Sequence, residues 1–320
     1  MKKTNNSSIT MLAGTAVSET IYYMTGTLDN LASDMIFTRM FIYDDSATPS
    51  NQWFHHDLPG WAVISTCLVP ANPTTPRHVC SLSEQGDVEL YSSAGIRIEK
   101  IKGAGLSHTE ESRGYMTRIR HIGDALYACG YAGQVYKRQK EKWERFDAGI
   151  RDKSPSSLTT IATPLDLIDI HGLHQSDIYI VGSEGFIAHY NGINWSILPP
   201  ITRACLYGIF IQSESEVWVA GSNGTILKGN AINGFRAICR KTLDCDFYSI
   251  ANFEDEYYIG ASDGLYNMRH GKILKVNLPE KIIEIDSIET KKGTLWALGS
   301  KKLIRYDGNT WKLINHIDNN

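Results

Sequence analysis

No stretch of this chain approaches the ~18 consecutive apolar residues that a membrane-crossing helix requires, which argues against a helical membrane protein. An excess of positive charge is missing too. Lys and Arg number 32 against 35 Asp and Glu, a formal net charge of −3, whereas a dedicated nucleic-acid binder carries a basic face. The one basic run, Lys137 to Lys142, is interrupted by Glu141 and reads as a solvated hairpin tip. The six cysteines contain no CxxC pair, and no His/Cys grouping has zinc-ligand spacing. A glycine-rich phosphate loop, a G-x-S-x-G elbow and an HExxH helix are all absent. No cofactor and no metal is therefore expected. Bridges between Cys67 and Cys80, or between Cys239 and Cys245, are conceivable, but free thiols acting as small hydrophobes are the preferred account. The N-terminus has a superficial likeness to a signal peptide. Its apolar centre, Ile9 to Val17, is short, is broken by Thr10, Gly14 and Thr15, and is separated from the lysines by Asn5 to Ser8. A cytoplasmic location is expected.

What the chain has is a period. The segment GSEGFIAHYNGINW (Gly182 to Trp195) returns as AGSNGTILKGN (Ala220 to Asn230), GASDGLYNMRHGK (Gly260 to Lys272) and GSKKLIRYDGNTW (Gly299 to Trp311). The turn glycines Gly185, Gly224 and Gly264 fall 39 and 40 residues apart, and Gly133 precedes Gly185 by 52. Each copy holds four short runs rich in Ile, Val, Tyr and Trp, parted by turn signals such as Asn191-Gly192 and Asp307-Gly308. Four up-and-down strands per ~40 residues make one blade of a β-propeller. The expected fold is all-β, a single propeller of seven four-stranded antiparallel blades, spanning about 8–59, 60–104, 115–149, 165–200, 205–241, 246–279 and 282–317. Ile9 to Val17 becomes the first strand of blade one. Gly172, Gly208, Ser249 and Ser287 are taken as matching small residues where the inner strands crowd the axis.

The clearest copy, LIDIHGLHQSDIYIVGSEGFIAHYNGINW, resembles a repeat of many bacterial propellers, grouped with the WD-repeat, YVTN and BNR-like propellers. The resemblance covers Met116 to Ile317 best. It implies the fold, and functions on this fold diverge widely.

Catalytic candidates cluster on the predicted inner strands: Asp166, Asp169 and His171, then Glu284 and Asp286, then Arg118, Arg120 and His121. Paired carboxylates suit glycoside chemistry, but inner-strand polar groups of propellers commonly satisfy water and neighbouring backbone, so no catalytic residue is assigned. Adjacent His55 and His56 point to opposite faces of a strand and do not chelate together.

Two surfaces are candidate binding sites. The second-to-third-strand loops and the blade-to-blade connections share one face, where the long insertions fall. That face would carry Asp29, Asp34, His108, Glu110, Glu111, Arg113, Arg151, Lys153, Glu184, Asn223 and Asp263. The first-to-second turns on the opposite face would align Asp177, Glu214, Glu216, Glu254, Asp255 and Glu256 in an acidic arc suited to a basic partner. The function expected is a monomeric, non-enzymatic protein-binding scaffold without nucleic-acid or membrane partners. By analogy with stand-alone bacterial propellers, its sharpest form is an immunity-type protein that neutralises a toxin. The alternatives are a carbohydrate-active hydrolase or lyase, and an assembly factor for a multisubunit complex.

Overall fold

The computed structural model describes residues 8–32, 34–106, 113–150, 165–238 and 243–319. These residues form seven four-stranded antiparallel sheets, each built from four consecutive strands. The fold is a seven-bladed β-propeller. The inner strands are Ile9–Ala16, Val63–Val69, Met116–Ile122, Leu167–His174, Leu206–Ser213, Phe247–Phe253 and Ser287–Lys291. A blade has two apolar faces and no core of its own, so it is stable only between neighbours. Accordingly, the buried side chains fall into seven clusters, each shared by two adjacent blades.

No strand is exchanged between the first and last blades. The ring closes through one such cluster, in which Ile9, Met11, Tyr22 and Phe41 pack against Trp296, Leu298 and Leu303. Polar contacts frame it. Met11 N donates to Ser300 O (2.8 Å). Lys301 Nζ donates to Ile9 O (2.9 Å) and Asp29 Oδ2 (2.5 Å), and Trp296 Nε1 donates to Ser18 O (3.1 Å).

Each blade bends where its inner strand begins. In six blades the register skips one inner-strand residue at the same place: Leu12, Ile64, Thr117, Ile168, Tyr207 and Tyr248. A bulge of this kind re-aims the skipped side chain. The register also corrects one sequence expectation. Asp169 pairs with Val181 just as Gly208 pairs with Ala220 and Ser249 with Gly260, so Asp169, not Gly172, matches the small residues. At Gly208 a side chain is excluded, because a Cβ would lie 2.5 Å from Tyr248 O of the next blade.

The second-to-third turns and the blade connections meet on one face. Gly133 N donates to Leu165 O (2.8 Å), Gly185 N to Ala204 O (2.8 Å) and Gly224 N to Cys245 O (2.7 Å). Each glycine follows a residue with positive φ, namely Ala132, Glu184 and Asn223. At Gly185 (φ +71°) any Cβ would sit 1.9 Å from Thr202 O, so only glycine permits the docking.

Trp296 is fully buried at the closure. Trp296→Ala should lower the unfolding free energy by about 3–5 kcal/mol, the range for large aromatic truncations, read from urea unfolding at constant m.

Candidate functional site

A cavity of about 430 Å³ runs along the axis and is lined by inner strands of all seven blades. Its middle holds an ion cluster. Arg120 donates to Asp169 through Nε (3.3 Å) and Nη2 (3.2 Å), and Arg118 Nε lies 3.2 Å from the same carboxylate. Asp169 also accepts from Ile170 N (2.9 Å) and, across the blade boundary, from Ile209 N (3.0 Å). Burial opposes its ionisation, yet the two guanidiniums prevail and hold its carboxyl below the usual range. Beside it, His171 is brought down to about 4 by burial and by Arg120, so its ring is neutral at pH 7. Glu289 ties blade seven to blade one, accepting from Ala16 N (2.7 Å) and Thr15 Oγ1 (3.0 Å).

The end of the cavity on the loop face differs. There the inner strands start, with Asp166, Asp246 and Glu284 just outside their first buried residues Leu167, Phe247 and Ile285. Asp286 follows, where other blades carry their bulge residue. Burial, then the Glu284 charge, pushes the Asp286 carboxyl up to about 6, and burial also raises Asp166. The Tyr248 hydroxyl is raised first by burial and then by the charges of Asp246, Asp286 and Glu284. Tyr207 packs edge-on against Tyr248, with ring centroids 5.5 Å apart. Asp286, Tyr248, Leu12 and Ile64 line the cavity. The sequence reading missed Tyr207, Tyr248, Leu12 and Ile64. For Tyr207 and Tyr248 the sequence signal was their place one residue after the first apolar residue of the inner run.

The structure sorts the other candidates. On the loop face, Asp29 receives Lys301, Thr10 Oγ1 (2.6 Å) and Ser8; these bonds outweigh burial and bring it to about 2. Arg113 clasps Asp147 (2.6 Å), with both side chains nearly buried. Asp263 receives Lys275 Nζ (2.6 Å) and Tyr266 OH (2.9 Å). These three are engaged within the fold, while Asp34, Glu184 and Asn223 are exposed. His108, Glu110, Glu111, Arg151 and Lys153 lie outside the described residues, as does Cys239. Cys67 and Cys80 oppose each other in register and are both free thiols.

The acidic arc is half neutralised by its own blades. Asp177 is buried and meets His189 Nε2 at 2.8 Å. Glu216 receives Trp218 Nε1 (2.9 Å), Tyr257 OH (2.6 Å) and Lys228 Nζ (2.9 Å), and Glu256 pairs with Arg269. Glu214, Glu254 and Asp255 remain exposed.

The loop face also shows apolar side chains to solvent. Met35 and Ile36 come from a second-to-third loop, Tyr131 from another, and Leu106, Ile201 and Ile283 from blade connections. Ile283 is 75% exposed. The opposite face exposes Ile193 and Ile232 at outer hairpin tips, and Leu173 at the end of an inner strand.

No family model matches the chain. A curated relative does. The chain is 26% identical over 264 residues, 81% of its length and 82% of the relative's, to the immune protein Tsi7 of Pseudomonas aeruginosa PAO1. Solved structures of similar fold include virginiamycin B lyase from Staphylococcus aureus (TM-score 0.68, 10% identity, 94% of each chain). They also include the WD40 propeller domain of Doa1 (0.65, 10% identity, 97% and 94% of the two chains). A third is YCF48 from Cyanidioschyzon merolae (0.64, 12% identity, 98% and 97%). These three likenesses establish the propeller and nothing about chemistry. No helix among the described residues is long and apolar enough to cross a membrane.

Asp286 gives the site a measurable signature. A carboxyl raised from 3.8 to about 6 stabilises the fold only while protonated, so this contribution is full below pH 3.8 and lost as pH rises through 6. Asp286→Asn should therefore raise stability at pH 7.5 by about 1–2 kcal/mol, discounted for solvent screening, and leave it unchanged at pH 3.5. Urea midpoints at the two pH values test this; equal effects at both would contradict it.

Proposed function

We propose that this chain is a non-catalytic immunity-type protein that binds a toxin through its loop face and so neutralises it. The observation that carries this reading is the relative named as an immune protein, whose similarity runs through most of both chains rather than through one blade. Physical features support the loop face over its opposite. The exposed apolar side chains Met35, Ile36, Leu106, Tyr131, Ile201 and Ile283 come from five separate loops of that face. Such side chains are the usual anchors of a protein interface. The acidic arc, by contrast, is partly consumed by His189, Lys228 and Arg269. The expected complex is one propeller to one toxin, formed in the cytoplasm, where free thiols such as Cys67 and Cys80 persist although opposed in register.

A toxin recovered with this chain by affinity purification should lose its effect on growth when the two are co-expressed and should form a one-to-one complex on size exclusion. Undiminished toxicity would sink the reading. In the same assay, an Ile36→Asp, Ile283→Asp double variant should weaken the complex at least 100-fold, because each charge would be buried unpaired, while Ile193→Asp on the opposite face should bind as wild type.

A further inference from the structure

The axial ion cluster carries more guanidinium than its carboxylate can satisfy. Arg118 and Arg120 stand two residues apart on one inner strand, so both side chains leave the same face of it and line the cavity. They share one carboxylate, Asp169, whose two oxygens also accept from Ile170 N and Ile209 N. Arg120 grips Asp169 through Nε and Nη2, which by itself completes the link between blades three, four and five. Arg118 is held differently. Its Nε lies 3.2 Å from Asp169 Oδ1 without making a hydrogen bond, and its Nη1 and Nη2 donate to nothing among the described residues. Of its three nitrogens only Nε is enclosed, and the side chain keeps 28% of its surface on the cavity. Arg120 Nη1 makes no hydrogen bond either, and that side chain keeps 26%.

The other groups of this wall add donors rather than the missing acceptor. His171, two residues beyond Asp169 on the same strand, also lines the cavity, and its Nε2 has no hydrogen-bond partner among the described residues. Glu289 belongs to blade seven, across the ring from blades three and four. It accepts from Ala16 N and Thr15 Oγ1, and among the described residues no ion pair joins it to either arginine. The terminal nitrogens of a guanidinium form a rigid planar fork that matches the two oxygens of a carboxylate. A cavity of about 430 Å³ falls within the size range of small-molecule sites. Two guanidiniums against one carboxylate leave one positive charge to be met, which suits a monoanion better than a phosphate dianion. We infer that the middle of the axial cavity binds a small free carboxylate, received by the open fork of Arg118 with Arg120 and His171 beside it. This site needs no protein partner and stands whether or not the chain neutralises a toxin.

The probe is acetate, titrated at constant ionic strength into the full chain carrying ¹⁵N-labelled arginine, with acetamide as the neutral isostere. The Arg118 side-chain resonance, assigned by its loss in Arg118→Lys, should shift saturably with acetate and stay still with acetamide. The midpoint should fall in roughly the millimolar range expected of so small a ligand. Arg118→Lys keeps the charge and loses the fork, whereas Arg118→Gln loses both. Read at the Arg120 resonance, both variants should bind acetate more weakly, the second by at least about tenfold. Arg145→Gln, on an outer strand, should bind as wild type. Arg120 still holds Asp169 in each variant, so urea midpoints should stay near that of wild type; if a variant unfolds, the contrast between acetate and acetamide in the wild-type chain decides. Inorganic phosphate should bind no more tightly than acetate, and tighter binding of phosphate would overturn the carboxylate assignment. A shift that never saturates, an equal response to acetamide, or undiminished binding in Arg118→Gln would overturn the site and leave two solvated arginines that serve the fold alone.

Discussion

Everything in this molecule depends on closing a ring of seven sheets whose last member has no strand to lend the first. Each blade is made of four consecutive strands, so blade seven meets blade one only through side chains and a few hydrogen bonds. Trp296, Tyr22, Phe41 and Leu298 give that seam its apolar area. Lys301, Asp29 and Glu289 fix its register at the two ends of the contact. The seam has the construction of the other six boundaries, which explains how the ring can do without a swapped strand: each interface is already a shared core. It also explains why Asp29, which stands on the loop face by topology, is held by three intramolecular donors.

Closure forces the inner strands together, and the bulge at their starts is the consequence that shapes the site. Skipping one residue in six of the seven first strands bends each strand. Leu12, Ile64 and Tyr248, skipped in this way, stand in the cavity lining. Turn chemistry is local, so the ~40-residue period, the Asn-Gly and Asp-Gly hairpins and the blade count were legible in the sequence. A bulge is a property of pairing between strands and leaves no mark in composition. For that reason Gly172 was matched to Gly208 in sequence, whereas the register matches Asp169 to it. The acidic arc failed to show its true charge for a related reason. Glu216 and Glu256 meet their cations, Lys228 and Arg269, on the third strands of their own blades, a contact that exists only once the sheet has formed.

Asp169 and Asp286 are both carboxylates on inner strands at the axis, and their surroundings drive them in opposite directions. Asp169 has two guanidiniums and two backbone amides, one from the next blade, and is held ionised despite complete burial. Its charge is met within the fold, which is what a structural linker between blades three, four and five requires. Asp286 has a neighbouring carboxylate and, among the described residues, no paired cation, and burial with that charge raises its carboxyl to about 6. Asp169 thus holds blades together through ion pairs, whereas at Asp286 burial and a like charge both oppose ionisation. Arg113, closed on Asp147, is likewise met within the fold. Unpaired buried atoms are not confined to the loop-face end: Arg118 Nε and His171 Nδ1 of the axial cluster also lack hydrogen-bond partners among the described residues.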